Sequence, residues 1–501
     1  MKKQSAISVI LAALLLSSAL AACGENETQV MTDEDTAAPV TEETEAPAET
    51  QTMYSDTLEA QDFGGIDFRI YENNSLVGMT LPTTINYAAE ESGEIVNDTL
   101  YAREQWIEET YHVNVVNIDG LGDTWAERKP LSSVVLAGED AYDLVLTDAS
   151  NNGAFYFSIN GYSYPLTYID SIHLDKPYWM PEVNEKLKVN GELYVSACPI
   201  SPRYYGSVYI IQFNRDLAKN LDLDDFYDLV NEGKWTIDRM FDAAKDAYAD
   251  LNGDGKMDEN DQYGLVYEVL TPESIILGAG MHYVENDNGT FKVMLDDENL
   301  VDLINKIAEF AARPCCARDA SGFTNGEVLL NNGTYLFRNP CTFDLAAYRD
   351  LQYDYGVLPM PKLDEAQTSY IGYSQPWATN CPVVLTSVPQ EHLGYVGTII
   401  DAMTAYGYDY VKPAVFDNVI QLKGARDEKS ASIIDKMFEN ITFEYMCIGE
   451  FNGLADAMHR FFMNDLGKRD VASTYAALKP KTETFIEDMI AQYQKNAENR
   501  G

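Results

Sequence analysis

Apolar and polar positions along the chain switch between the two-residue period of a strand and the longer period of a helix. Asp67-Phe68-Arg69-Ile70-Tyr71 alternates after a Gly64-Gly65 turn, as a first strand would. Asn97 and Asp98 supply helix-start chemistry. Val96, Leu100, Ile107 and Tyr111 then fall on one apolar stripe of a helix ending near Tyr111. Residues 113–116 read as a second strand, residues 132–137 as part of another helix, and residues 142–146 as a buried third strand. Strand, helix, strand, helix, strand predicts a parallel sheet with crossover helices. Ligands sit outside the carboxyl ends of such strands, which directs attention to Glu72-Asn73-Asn74 and Asp148-Ala149-Ser150-Asn151. The alternation resumes with a strand-like run over 208–213, after which Asn214-Arg215-Asp216 opens a helix. Trp235-Thr236-Ile237-Asp238 starts another, with Thr236 as cap and Asp238 in the first turn, where its charge favours the dipole. Residues 262–267 read as a further strand.

The first 61 residues follow a different logic. Lys2 and Lys3 precede an apolar run from about Ile7 to Leu16, too short for a stable membrane span, and then Leu20-Ala21-Ala22-Cys23. This resembles the lipobox of bacterial lipoproteins. It implies a signal peptide over 1–22 and a lipidated Cys23 as the mature N-terminus, outside the cytoplasm. From Gly24 to Gln61 there is no Lys or Arg, and Asp, Glu and Thr dominate. Such a segment cannot bury enough apolar surface to offset chain entropy, so residues 23–61 are expected to form a disordered acidic tether.

About 440 residues remain, more than one core accommodates, so two lobes are expected. Against 80 Asp and Glu the chain has 35 Lys and Arg, a formal charge of −45. That excludes nucleic-acid binding and docking on anionic headgroups, and leaves the lipid as the membrane contact. Of the seven cysteines, Cys198, Cys315, Cys316, Cys341, Cys381 and Cys447 lie in the body without metal-ligand spacing, and with five histidines the composition argues against a zinc site. Their disulfide pairing stays open. No nucleophile elbow, phosphate-cradling loop or His-Glu-x-x-His motif is present, so no catalytic residues are assigned.

The sharpest chemical motif runs from Asp250 to Asp261. Asp250, Asn252 and Asp254 stand at loop positions 1, 3 and 5, Gly255 at the sharp turn, and Lys256 where a backbone carbonyl contributes. Asp258 and Asp261 close the set at positions 9 and 12. This spacing wraps hard oxygen ligands around one point and predicts a structural Ca2+. Asp261 replaces the usual bidentate glutamate, which weakens the site.

Together these segments resemble extracellular solute-binding proteins of family 1, receptors of ABC importers mostly for sugars. The resemblance rests on Asp67-Phe68-Arg69-Ile70, Asn97-Asp98-Thr99-Leu100-Tyr101, Ala141-Tyr142-Asp143-Leu144 and Asp175-Lys176-Pro177-Tyr178-Trp179. It continues through Phe213-Asn214-Arg215, Lys234-Trp235-Thr236, the stretch from Asp250 to Gly264, and Tyr355-Gly356-Val357-Leu358-Pro359-Met360-Pro361-Lys362. It covers Asp62 to about Gln494, and the order and spacing of the motifs make it specific. It implies an α/β, two-lobed periplasmic-binding-protein-like (type II) fold with a hinge and an interlobe cleft. By that analogy the N-terminal lobe comprises 62–206 plus 333–372 and the C-terminal lobe 207–332 plus 373–501. The hinges are then expected near 205–207 and 373–379.

A sugar site needs ring faces against pyranose C–H patches and polar groups for the hydroxyls. With 33 Tyr against 19 Phe, amphipathic rings are plentiful. The candidates in cleft-facing places are Asp148, Ser150, Asn151, Tyr205, Ser207, Arg338, Tyr373, Gln375 and Trp377, with Tyr204 beside them. Trp106, Trp179 and Trp235 read as structural. The resemblance implies a monomeric carbohydrate receptor, of an oligosaccharide above all, that serves ABC permease subunits. The alternatives are the same fold binding a peptide, an amino acid or another polar solute, or a surface sensor or adhesin without transport.

Overall fold

Among the described residues thirteen strands organise the body, and their partners show how the chain is divided. In order they are β1 (Ile66–Glu72), β2 (Val113–Asp119), β3 (Leu144–Asp148), β4 (Ile211–Asn214), β5 (Tyr263–Tyr267), β6 (Val284–Asp287) and β7 (Thr290–Val293). They continue as β8 (Cys316–Arg318), β9 (Tyr335–Arg338), β10 (Tyr355–Leu358), β11 (Gly372–Tyr373), β12 (Asn380–Val383) and β13 (Ile441–Thr442). This computed structural model describes residues 52–73, 85–319, 325–416, 428–438, 440–464 and 470–500. The expected signal peptide, the lipidation site Cys23, most of the tether and Asn74 lie outside the described residues.

The first sheet has the order β12-β3-β1-β2, with β1 parallel to both β2 and β3, as the alternation predicts. Between β1 and β2 the helix Ile95–Tyr111 buries Val96, Leu100, Ile107 and Tyr111, the anticipated stripe. Its start differs from the expectation. Glu94 is the cap, accepting from the Val96 and Asn97 N–H groups, while Asp98 lies in the first turn and accepts from Ser92 and Gly93. A carboxylate two residues upstream of the stripe reaches the orphan amides, so the helix begins earlier. The helix Thr124–Ala137 is likewise longer than the stretch read from the sequence and is capped by Asp123.

The second sheet has five strands in the order β10-β4-β9-β5-β8. β4 runs antiparallel to β9 and β10, whereas β5 is parallel to β8 and β9. This corrects the expected lobe boundaries. Residues 333–372 do not return to the N-terminal lobe, because β9 and β10 flank β4. Conversely, β12 leaves the C-terminal half of the chain and pairs antiparallel with β3. The physical reason is burial on both sides of the strand. Phe337 of β9 packs between Phe226 and Trp235, ring centroids 5.2 and 5.6 Å away, in the core of the second sheet. Thr236 caps the helix Ile237–Lys245 as predicted, and Asn214 caps Arg215–Asn220.

The helix Leu393–Tyr406 also belongs with the first sheet. Its buried Asp401 accepts from the His173 N–H (2.9 Å), the Tyr178 hydroxyl (2.9 Å) and the Trp179 indole N–H (2.6 Å). Tyr178 and Trp179 are therefore structural, as the sequence implied for Trp179. The end of the presumed tether is corrected as well. Ser55 donates its N–H and its hydroxyl to Asp409 at 2.7 Å, and Tyr54 packs against Tyr178 and Tyr408. An aromatic ring in an otherwise acidic stretch suffices to dock residues 54–57 on the body.

Three segments run side by side where the chain passes between the sheets. Val208 bridges Ser374, Gln375 N–H donates to Ser207 O (2.9 Å), and β11 pairs with β13. At their centre the hydroxyls of Ser207, Ser374 and Thr379 form a buried triangle with edges of 2.7 to 2.9 Å. Each hydroxyl can both donate and accept, so the triangle satisfies polar groups that burial would otherwise penalise.

Candidate functional site

The carboxyl ends of the parallel strands in the second sheet open into a cavity of about 210 Å3. β5 is followed there by Glu268, β8 by Asp319, and β9 ends on Arg338. Gln375 and Trp377 arrive from the segment between β11 and β12, and Tyr209 from the crossing before β4. Tyr267 and Phe343 complete the ring faces. A larger depression of about 530 Å3, lined among others by Val183, Lys186, Val284 and Tyr445, lies beside the β6–β7 hairpin. We place the site in the smaller cavity because it sits at strand ends and joins aromatic rings, Trp377 exposed among them, to charged groups.

Arg338 organises the polar side. Its guanidinium donates to the Tyr348 hydroxyl, lies 5.8 Å over that ring, and faces the carboxylates of Asp344 and Glu268. Burial pushes the Glu268 carboxyl up to about 7; Arg338 pulls it down, while Asp344 and Asp319 add to the rise. Asp344 is pushed up to about 6, again by burial and against Arg338. Gln375 contributes a free donor: its Oε1 accepts from the Cys341 thiol at 3.6 Å, whereas its buried Nε2 has no hydrogen-bond partner among the described residues. An unsatisfied buried amide beside a cavity is poised to meet a ligand acceptor. Trp377, with a relative exposure of 44%, offers a ring face to solvent at the mouth.

The sequence-derived candidates thus separate. Arg338, Gln375 and Trp377 share the cavity. Tyr205, Ser207 and Tyr373 do not face it. Tyr205 is buried among Tyr204, Phe416 and Phe438, Ser207 belongs to the hydroxyl triangle, and Tyr373 stacks on Tyr209 at 5.5 Å. Each lies at a crossing, where sequence position cannot distinguish an inward from a cleft-facing side chain. Asp148 is 2% exposed, and its Oδ1 accepts from both the N–H (2.8 Å) and the hydroxyl (2.6 Å) of Ser150. The two close the turn after β3 rather than project from it. Asn151 is more open and donates to Glu450 at 3.4 Å. The turn nevertheless adjoins the site, since Ala149 N–H donates to Pro376 O (2.9 Å), one residue before Trp377.

Sequence reasoning missed Tyr209, Tyr267, Glu268, Asp319 and Asp344. The strand-end rule applied to β1 and β3 would have found Glu268 and Asp319 had β5 and β8 been given the same treatment. It also missed Trp125, on the first turn of the helix after β2. Trp125 is 56% exposed, and the Arg128 guanidinium lies 4.0 Å from its ring centroid and 4.6 Å from that of Tyr156. Arg128 in turn donates to Asn151 O at 3.4 Å, so this aromatic face borders the carboxyl edge of the first sheet.

Behind that edge, burial pushes Glu72, Glu104 and Glu127 up to about 7; Arg103 pulls Glu72 and Glu104 down, and the Leu121 N–H does so for Glu127. With the ordinary value at 4.5, the folded state holds more protons than the unfolded one between 4.5 and about 7. Stability therefore falls as pH rises through that window. Urea midpoints between about pH 5 and pH 7.5 should decline, and Glu72→Gln should flatten the decline. An unchanged slope in the variant would remove Glu72 from this account.

The loop from Asp250 to Asp261 closes on itself. Asp250 accepts from Gly253 N–H (2.6 Å) and Gly255 N–H (2.8 Å), Asn252 from Asp254 N–H, and Asp254 from Lys256 N–H. Gly253 and Gly255 hold φ of 73° and 79°, which a side chain would resist. Asp258 accepts from Asn260 N–H, and buried Asp261 ties the ends by accepting from Leu251 N–H (2.9 Å) and Asp258 N–H (2.8 Å).

No family model and no curated protein matches the chain. Solved structures do. An ABC substrate-binding protein from Listeria monocytogenes, in complex with cycloalternan, is 13% identical with a TM-score of 0.52, covering 85% of this chain and 99% of its own. A receptor of Streptomyces glaucescens, solved unliganded and with acarbose, is 13% identical with a TM-score of 0.53, covering 85% and 99%. A family 1 extracellular solute-binding protein from Bifidobacterium longum subsp. infantis is 13% identical with a TM-score of 0.54, covering 84% and 100%. The likeness shows a shared fold, the two-lobed α/β architecture of substrate-binding proteins.

Proposed function

We propose that the chain is a lipid-anchored extracytoplasmic receptor that binds a carbohydrate, an oligosaccharide above all, and delivers it to an ABC permease. One observation carries this reading. A strand-end cavity combines the ring faces of Trp377, Tyr209, Tyr267 and Phe343 with hydroxyl-binding groups on Gln375, Arg338 and Glu268. The rings cover pyranose C–H patches while the fixed polar groups select hydroxyls. The cavity is smaller than the roughly 300–1,000 Å3 that encloses a drug-sized ligand, so it accommodates one ring. Further rings would extend past Trp377 toward the exposed face of Trp125. Ligand engaged by both sheets would favour a closed arrangement in proportion to its preference for it.

Thermal unfolding of the chain against a panel of oligosaccharides, peptides and amino acids tests the reading. A ligand at a hundredfold excess over Kd adds about 2.7 kcal/mol of stability. A shift confined to peptides or amino acids would refute the carbohydrate assignment, and new reducing ends in an oligosaccharide mixture would refute the receptor assignment.

Ca2+ is proposed as a structural ion of the loop, held by Asp250, Asn252, Asp254, the carbonyl of Lys256, Asp258 and Asp261. All-oxygen donors suit a hard cation, and the short Asp261 side chain favours weak, extracellular-range affinity. Calorimetric titration should show binding that Asp254→Asn weakens at least tenfold; no heat at millimolar Ca2+ would exclude it.

A further inference from the structure

Outside the cavity, three chemically different metal-ligating side chains converge from positions far apart in the chain. Glu273 lies on the helix Thr271–Gly278, Cys447 on the helix Tyr445–Gly449, and His459 on the helix Leu454–Asn464. The Cys447 sulfur is 3.1 Å from Glu273 Oε1, and His459 Nε2 is 3.1 Å from Glu273 Oε2. All three ligand atoms lie within 4.8 Å of one another. Three helices thus hold one sulfur, one imidazole nitrogen and one carboxylate oxygen at the separations that ligands of a single small cation require.

Charge supplies the second argument. Glu273 is 2% exposed, and its only ion-pair partner among the described residues is His459, with no Lys or Arg against it. Buried carboxylates are paired with a cation or coordinate a metal. The contrast with Asp140, Asp143 and His392 is instructive. Those groups also converge, but Arg69 bonds both carboxylates at 2.7 to 2.8 Å and supplies the positive charge. At Glu273 the one cation-forming group among the described residues is the imidazole of His459, a side chain that also ligates metals. The His459 side chain is 26% exposed, which leaves a path of entry from solvent.

We propose that Glu273, Cys447 and His459 bind a first-row transition-metal ion, with Zn2+ as the expected occupant. A mixed sulfur, nitrogen and oxygen donor set matches Zn2+ and rejects Ca2+ and Mg2+, which take oxygen alone. On binding, the Cys447 thiol gives its proton to solvent and the sulfur coordinates as thiolate, so affinity rises with pH. The fourth position is left to water or to the Tyr373 hydroxyl, which donates to Glu273 Oε1. Tyr373 also stacks on the cavity residue Tyr209, so the ion would fasten the C-terminal helices to the wall behind the cavity. The sequence argued against zinc because its cysteines lack metal-ligand spacing and it has five histidines, whereas these three ligands come from separate helices. The site does not depend on which solute the cavity takes.

Cobalt titration of the full chain tests it, with a phosphine reductant present and Ca2+ saturating the acidic loop. One equivalent of Co2+ should produce a sulfur-to-cobalt charge-transfer band, and Zn2+ should abolish it. Cys447→Ser should eliminate the band, His459→Gln should weaken Co2+ binding at least tenfold, and a Cys315→Ser/Cys316→Ser double variant should retain it. Circular dichroism verifies that each variant is folded; if Cys447→Ser is not, the variant His459→Gln, at a partly exposed position, carries the test. Absence of the band in the unmodified chain, or its survival in folded Cys447→Ser or at full strength in His459→Gln, would overturn the proposal and leave the cluster as a hydrogen-bond network.

Discussion

Trp377→Ala should weaken binding of the cognate oligosaccharide by roughly 2–3 kcal/mol, about 30- to 150-fold in Kd. The indole is exposed at the mouth of the cavity and packs on no core that its removal would empty. Its loss should therefore leave the unfolding midpoint of the free chain nearly unchanged while titration calorimetry registers the weaker ligand. Trp125→Ala should produce a smaller loss that grows with oligosaccharide length, because that ring borders the first sheet rather than the cavity. If the two rings serve separate sugar units, the double variant should show additive losses. An unaltered Kd in Trp377→Ala would displace the site from this cavity, with the depression beside the β6–β7 hairpin as the next place to look.

The largest effect on stability is expected at Asp401. Its carboxylate takes hydrogen bonds from His173 N–H and Nδ1, the Tyr178 hydroxyl and the Trp179 indole N–H, and is itself 2% exposed. Asp401→Ala leaves the buried indole and phenol donors without an acceptor, which should cost about 3–4 kcal/mol. Urea unfolding should show a lower midpoint with an unchanged slope, since the surface exposed on unfolding stays the same. A loss below about 1 kcal/mol would mean that water replaces the carboxylate, and the segment 173–179 would then owe its placement to packing alone.

Much of the local structure was legible along the chain. The alternation at Asp67–Tyr71, the stripe from Val96 to Tyr111 and the caps at Asn214 and Thr236 correspond to elements found there. Residues within a few positions of each other determine these features, so periodicity and capping chemistry reveal them. Helix starts were less secure. At the helix Ile95–Tyr111 both Glu94 and Asp98 can bind backbone amides, and only the geometry shows that Glu94 is the cap.

The site was legible in part. Trp377, Gln375 and Arg338 were reachable because they flank strands or crossings. Tyr205, Ser207 and Tyr373 met the same criterion and turned inward, since a crossing must fill its own interior as well as border a cleft.

By itself the sequence determined the α/β class, the strongly acidic composition, the order of oxygen-bearing side chains from Asp250 to Asp261, and the expectation of export from residues 1–23. Tertiary structure alone decided that β9 and β10 flank β4, that β12 returns to β3, and that Glu273, Cys447 and His459 meet. Strand alternation encodes which face of a segment is buried but not which strand lies beside it. That choice depends on how side chains hundreds of residues apart fill a common core, as Phe337 does between Phe226 and Trp235.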